Sequence, residues 1–122
     1  MIIVRDDMPA GVVAMEAVGE VTRADYQDII RPELERAFAY GEKVRFLYVL
    51  GSQFKGFEAA ALIDDAKLGI KHLGDFEKIA VVCDVKWVNH AVKLVNVATP
   101  CPIKTFRVER EADAVSWLTS TL

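Results

Sequence analysis

The sequence predicts an α/β fold built on a mostly parallel sheet. Two stretches, KVRFLYVL and KIAVVC, are apolar on both parities past their first residues, as strands covered on both faces are. Stretches with helical period lie between and after them. With two opening strands, the order becomes ββαβαβαβα, and strands alternating with helices imply a mostly parallel sheet.

MIIV and GVVAMEAV are the opening strands, joined by a turn that Pro9 and Gly11 punctuate, and they supply an antiparallel hairpin at the sheet edge. Thr22 is suited to an N-cap, with Asp25 three residues on in a variant of the capping box. Tyr26, Ile29, Ile30, Leu34, Ala37 and Phe38 recur at helical spacing until Gly41. Pro32 falls inside this run and is expected to kink it. A second helix is expected from about Phe57 to Leu73, closed near Gly74. Asp84 is placed to cap a third, VKWVNHAVKLVNVA, which Pro100 stops. IKTFRV is a final, more polar strand and EADAVSWL a closing helix, so the parallel core centres on Phe46, Val81 and Phe106. No repeat or linker interrupts the pattern, and one domain over residues 1–122 is expected.

Composition narrows the function classes. Hydrophobic residues are 52% and charged residues 27% of the chain, the balance of a globular protein. A net charge of −3 argues against nucleic-acid binding, which needs a concentrated basic surface. No apolar run reaches the roughly 20 residues that span a bilayer. The opening MIIVRDDMP meets charge too early for a secretory signal, so cytoplasmic residence is the expectation. Cys83 and Cys101 have no metal-ligand spacing, and no metal or other cofactor is expected. CPIKTFR matches the C-x5-R spacing of cysteine phosphatases, but Pro102 removes an amide from the loop such an enzyme wraps around its anion.

GSQFKG has the glycine spacing of a phosphate loop and is read as the turn from a strand into the second helix. Phe57 and Glu58 stand where the lysine and the hydroxyl residue should follow, so nucleotide hydrolysis is not expected. His72 and His90 fall on polar helix faces and are read as solvated. Asp64 and Asp65 are adjacent, so their side chains diverge on a helix and form no carboxylate pair. Ser52 has no base near it in sequence. No catalytic residue is assigned, and the chain is expected not to be an enzyme.

Lys67, Gly69, His72, Asp75, Phe76, the strand KIAVV, Asp84 and Trp87 together resemble the SpoIIAA-like family, and the order of elements agrees over nearly the whole chain. The resemblance implies a fold like that of STAS domains, the anti-sigma-factor antagonists, related in shape to CRAL-TRIO lipid carriers. It also implies Ser52 as a candidate phosphorylation position, although Gly51 and Gln53 flank it where those antagonists carry an aspartate–serine pair.

The second helix carries two apolar arcs. Ala59, Leu62, Ile63, Ala66, Ile70 and Leu73 form one and are read as the core face. Phe57, Ala61 and Leu68 form the other, with Phe54 just before them. This second stripe is expected to meet either a partner, protein or second copy, or a lipophilic ligand or membrane surface. In the lipophilic reading Phe54, Phe57, Ala61, Leu68 and Trp87 contact the ligand, Lys55 and Lys71 approach anionic groups, and Gly51 and Gly56 let the loop and the second helix shift as a lid. Trp87 is read either as a core residue or as the border of a crevice at the carboxyl ends of the strands. The third helix is apolar over roughly 160° of its circumference, wider than packing on a sheet requires. The leading expectation is a non-enzymatic binding domain for a small lipophilic or amphiphilic ligand, with peripheral membrane association. The alternative is a regulatory protein-interaction module of the anti-sigma-antagonist kind.

Overall fold

The structure, a computed structural model, describes residues 1–72 and 74–120. β1 (Ile2–Arg5), β2 (Val12–Val21), β3 (Val44–Phe57), β4 (Phe76–Cys83) and β5 (Ile103–Phe106) form one sheet in the spatial order β1-β2-β3-β4-β5. β1 pairs antiparallel with β2, and the remaining pairs are parallel. α1 (Arg23–Asp25), a π-helical stretch (Tyr26–Ile30) and α2 (Arg31–Phe38) run continuously from β2 toward β3. α3 (Ala59–Lys71) joins β3 to β4 and α4 (Lys86–Ala98) joins β4 to β5. α5 (Glu111–Thr119) closes the described fold after a 3₁₀ turn at Val108–Arg110. This is the α/β order with an antiparallel opening hairpin that the sequence predicts. Among the described residues, no helix is long and apolar enough to cross a membrane.

Alternation along the strands divides the core between two faces. Phe46, Tyr48 and Leu50 of β3 pack with Tyr26, Ile30, Leu34, Ala61, Leu68 and Val88. Leu47 and Val49 point the other way and pack with Ala114 and Leu118 of α5. The helical segments from α1 to α4 therefore share one face of the sheet, and α5 lies on the opposite face.

Local chemistry follows the sequence in some places and departs from it in others. Thr22 and Asp25 form the expected capping box: Thr22 Oγ1 accepts from the Asp25 amide, and the Thr22 amide donates to Asp25 Oδ2. Pro32 does not sit at an α-helical kink. The turn before it widens, with the Arg31 amide donating to the Tyr26 carbonyl five residues back, and Pro32 then occupies the first turn of α2, where a missing amide costs little. Asp84 does not cap α4; Oδ1 accepts from the Val108 amide across the sheet end, and Val85 holds the N-cap position.

GSQFKG is not a loop. It belongs to β3, which pairs with β2 through Gly19↔Phe54, Glu20↔Gly56 and Val21↔Phe57. From Leu50 to Phe57 β3 advances seven positions while its partner advances four, from Ala17 to Val21, so the extra residues bulge. Ser52, Gln53 and Lys55 are exposed along this bulged end. Gly56 has φ of 115°, a left-handed conformation that explains a glycine there. Strand pairing thus replaces the mobile lid expected of this segment.

On the α5 side, the carboxyl end of the helix is held by cations. Buried Lys78 donates from Nζ to the carbonyls of Trp117 (2.9 Å) and Ser120 (3.1 Å) and to Ser120 Oγ (2.8 Å). Arg45 donates to the Leu118 carbonyl at 2.7 Å. These groups satisfy orphan carbonyls and complement the negative end of the helix dipole. Arg5 grips the opposite end through paired contacts with Glu111 of 3.1 and 2.8 Å. Replacing Lys78 with Met keeps the apolar stem and removes the donors. The expected loss is about 1–3 kcal/mol in urea unfolding, from carbonyls left without a partner; an unchanged midpoint would show that α5 is held by packing alone.

Candidate ligand-binding site

α3 has the opposite orientation from the one its hydrophobic pattern predicts. Ala61, Asp64 and Leu68, spaced i, i+3, i+7, are its buried residues. Leu62, Ile63 and Ile70, the expected core face, are 40%, 56% and 71% exposed, and Ala59 and Ala66 are exposed too. Leu73 lies outside the described residues. Arg23 provides the physical reason: its Nε and Nη2 donate to the two carboxylate oxygens of Asp64 at 3.0 and 3.4 Å. A carboxylate this buried needs such a partner, and meeting it fixes the roll of the helix. Ala61 and Leu68 are therefore core residues rather than an outer ligand stripe. Phe54, only 9% exposed, packs in the same core cluster.

With α3 rolled this way, an apolar cleft opens between α3 and α4. α3 leans on α1 and the π-helical stretch, whereas α4 leans on β5. Two adjoining cavities, of about 300 and about 280 Å³, share Asp65, Ala66, Ile79, Val95 and Ile103 in their walls. The first runs between Gly69, Ile70, Phe76 and Cys101. The second reaches Tyr48, Phe57, Leu62 and Trp87 near the carboxyl ends of β3 and β4. Of the α4 residues that make its apolar arc wide, only Val88 is buried; Trp87, Leu94 and Val95 are at least half exposed.

An aromatic cluster closes the second cavity. Phe57 meets Phe54 at 5.0 Å, Trp87 at 6.2 Å and Tyr48 at 6.4 Å between ring centroids, all edge-on. Phe57 and Trp87, both singled out from the sequence, thus line the cleft, with Phe54 behind them. Lys55 and Lys71 are exposed and line neither cavity. Ser52 is exposed on the bulge of β3.

Two polar groups that the sequence reading did not select stand in this apolar setting. Asp65 lines both cavities, and burial, reinforced by the neighbouring Asp64 charge, pushes its carboxyl up to about 7. The Tyr48 hydroxyl is buried without a hydrogen-bond partner among the described residues, and burial raises the phenol further above its ordinary range. Asp64 and Asp65 do diverge, as adjacent helical residues must, but into an ion pair and a cleft rather than both into solvent. His72 is not solvated. It stacks on Phe38 with centroids 4.3 Å apart, and its Nδ1 lies 2.7 Å from Asp75 Oδ2. His90 is exposed, as predicted. The thiols of Cys83 and Cys101 are buried, and burial raises both above the usual range, which disfavours the nucleophilic thiolate.

Because the Asp65 carboxyl titrates higher folded than unfolded, the folded state holds an extra proton between about pH 4 and 7. Stability falls across that interval as pH rises and is flat above it. Asp65→Asn removes the ionisation. It is expected to match the native chain near pH 4 and to exceed it by on the order of 4 kcal/mol at pH 8; equal stability at both pH values would place Asp65 in water.

The model of the SpoIIAA-like family matches residues 12–119. A comparison with curated proteins gave no match. The crystal structure of an uncharacterised protein from the DUF3478 family with a SpoIIAA-like fold, from Shewanella loihica PV-4, is similar at 30% identity with a TM-score of 0.79. The match covers 96% of this chain and 93% of that one. Sequence and architecture agree over nearly the whole length: the chain belongs to the SpoIIAA-like family.

Proposed function

We propose that the protein binds a small lipophilic or amphiphilic molecule in the cleft between α3 and α4, and that it acts by binding rather than by catalysis. The observation that carries this reading is the cleft itself, with walls from Ala66, Ile70, Val95 and Ile103 and a mouth framed by Phe57 and Trp87. Concave apolar spaces of this size, with few polar groups, are what small-molecule sites look like. The second cavity lies near the carboxyl ends of parallel strands, where open α/β sheets bind ligands, and the first extends from it toward the amino ends of β4 and β5. Phe54 supports Phe57 from behind, and Ala61 and Leu68 serve the core.

Magnitudes favour reversible binding. An alkyl chain of about ten carbons gains roughly 8 kcal/mol on burial, at about 0.8 kcal/mol per methylene. Lost translational freedom and side-chain ordering offset much of that gain. Exposed Ile70, Leu94 and Val97, interleaved with exposed Lys67, Lys71, Lys86 and Lys93, suit transient contact with a membrane during uptake or release, and Lys55 adds a cation nearby in the chain.

The regulatory reading is second, favoured by the same exposed apolar residues and by Ser52 on the β3 bulge. A stoichiometric protein partner recovered from cells, and lost on Leu94→Glu while ligand binding persists, would move the assignment to it.

Gly69 gives a clean test of the leading reading. It lines the first cavity, and a side chain built there meets open space. Gly69→Leu should occlude the cleft while keeping or raising stability, since glycine costs a helix interior about 0.5–1 kcal/mol. Native mass spectrometry of freshly purified protein is expected to show a bound amphiphile that Gly69→Leu lacks. If no amphiphile copurifies, and alkyl alcohols leave Trp87 fluorescence and thermal stability unchanged, the cleft is not a binding site.

A further inference from the structure

We propose that Asp65 and Tyr48 form a polar end-group site within this cleft and select an amphiphile with a primary ammonium head over one with a carboxylate head. The inference rests on the cleft being a binding site and specifies its ligand class.

The cavity walls supply the chemistry. Among the described residues, neither cavity is lined by a lysine, an arginine or a histidine, so an anionic head entering the cleft finds no cation. It finds Asp65 instead, with the Asp64 charge beside it. Asp64 is already engaged by Arg23, whereas Asp65 has no hydrogen bond or ion pair among the described residues. The cavity-lining groups beside Asp65 are phenolic or neutral; the cations nearest in the fold are Arg23, which is paired with Asp64, and Arg31, which acts on Tyr26. Tyr26 of the π-helical stretch and Tyr48 of β3 feel its charge. Val88, Ala91, Val92 and Val95 face the cleft from α4 and Ile103 from β5, with Thr99 and the Cys101 thiol between.

A primary ammonium has three N–H donors and no acceptor. Asp65 and the Tyr48 oxygen both accept, and both residues line the second cavity, so one head group can serve two groups that have no partner among the described residues. The contact to Asp65 is charge-assisted, and the surrounding apolar walls strengthen it. An alcohol head would donate once, and a carboxylate would repel.

Decylamine, decanol and decanoate share one chain and differ in the head, so calorimetric titration of each, below its micelle concentration, separates head recognition from chain burial. Decylamine is expected to bind roughly tenfold or more tightly than decanol, the weight of one charged hydrogen bond, with decanoate weakest. The amine's affinity should rise as pH passes upward through about 7, where free Asp65 ionises, and then level off. In Asp65→Asn the preference and the pH dependence should both disappear while decanol binding remains. Tyr48→Phe should reduce the preference without abolishing the pH dependence. Equal binding of the three probes, or a preference for decanoate, overturns the head-group site and leaves the cleft as an unselective chain site. Failure of all three probes overturns both readings.

Discussion

The ion pair between Arg23 and Asp64 sets the roll of α3, and the layout of the sheet's helical face follows from it. Asp64 is one of three buried positions on the helix, in a row with Ala61 and Leu68, and its carboxylate would be uncompensated without the two guanidinium contacts. Breaking a fully buried pair costs about 3–5 kcal/mol. Arg23 is about half exposed, so the present pair lies below that range, yet it still decides between orientations of a short helix. The capping box at Thr22 and Asp25 fixes the chain on either side of Arg23 and so aims the guanidinium.

With α3 held against α1 and the π-helical stretch, its larger aliphatic side chains remain outside the core and the sheet between α3 and α4 is left without a full cover. Ile79 and Ile103 form a floor there, and Val95 and Ala66 face one another across it. Clustered exposed apolar area of this kind usually marks a contact or a binding groove. Asp65 and Tyr48 add polar groups that lack partners among the described residues, and buried polar groups usually have them. Both deficits lie in one space, and one amphiphile would relieve both. On the opposite face α5 is tied down at one end by Arg5 and at the other by Lys78 and Arg45.

Much of the fold was legible because β3 and β4 are apolar on both parities and because Thr22, Gly41 and Pro100 are local signals that work at short range. The bulged end of β3 was not. Glycines at 51 and 56 read as a loop, and only pairing with Gly19–Val21, a partner distant in sequence, shows that the stretch is strand. The face of α3 was misread for a related reason. A hydrophobic pattern follows Leu62, Ile63 and Ile70, the bulkiest residues, and scores Asp64 as solvent-facing. Its partner Arg23 is 41 positions away, so the interaction that reverses the helix has no local signature. Phe57 and Trp87 were legible as residues that line a cleft because large aromatics at strand and helix ends are distinctive. Asp65 and Tyr48 were not, since their significance comes from burial beside a cleft that the misassigned helix face concealed.

Solvent paramagnetic relaxation of methyl resonances measures the central claim, the roll of α3, directly. In the ligand-free protein the account predicts strong relaxation at the Ile63 and Ile70 methyls and protection of Ala61 and Leu68. Protection of Ile63 and Ile70 with Leu68 exposed would contradict it, because the helix would then turn its aliphatic face inward and close the cleft.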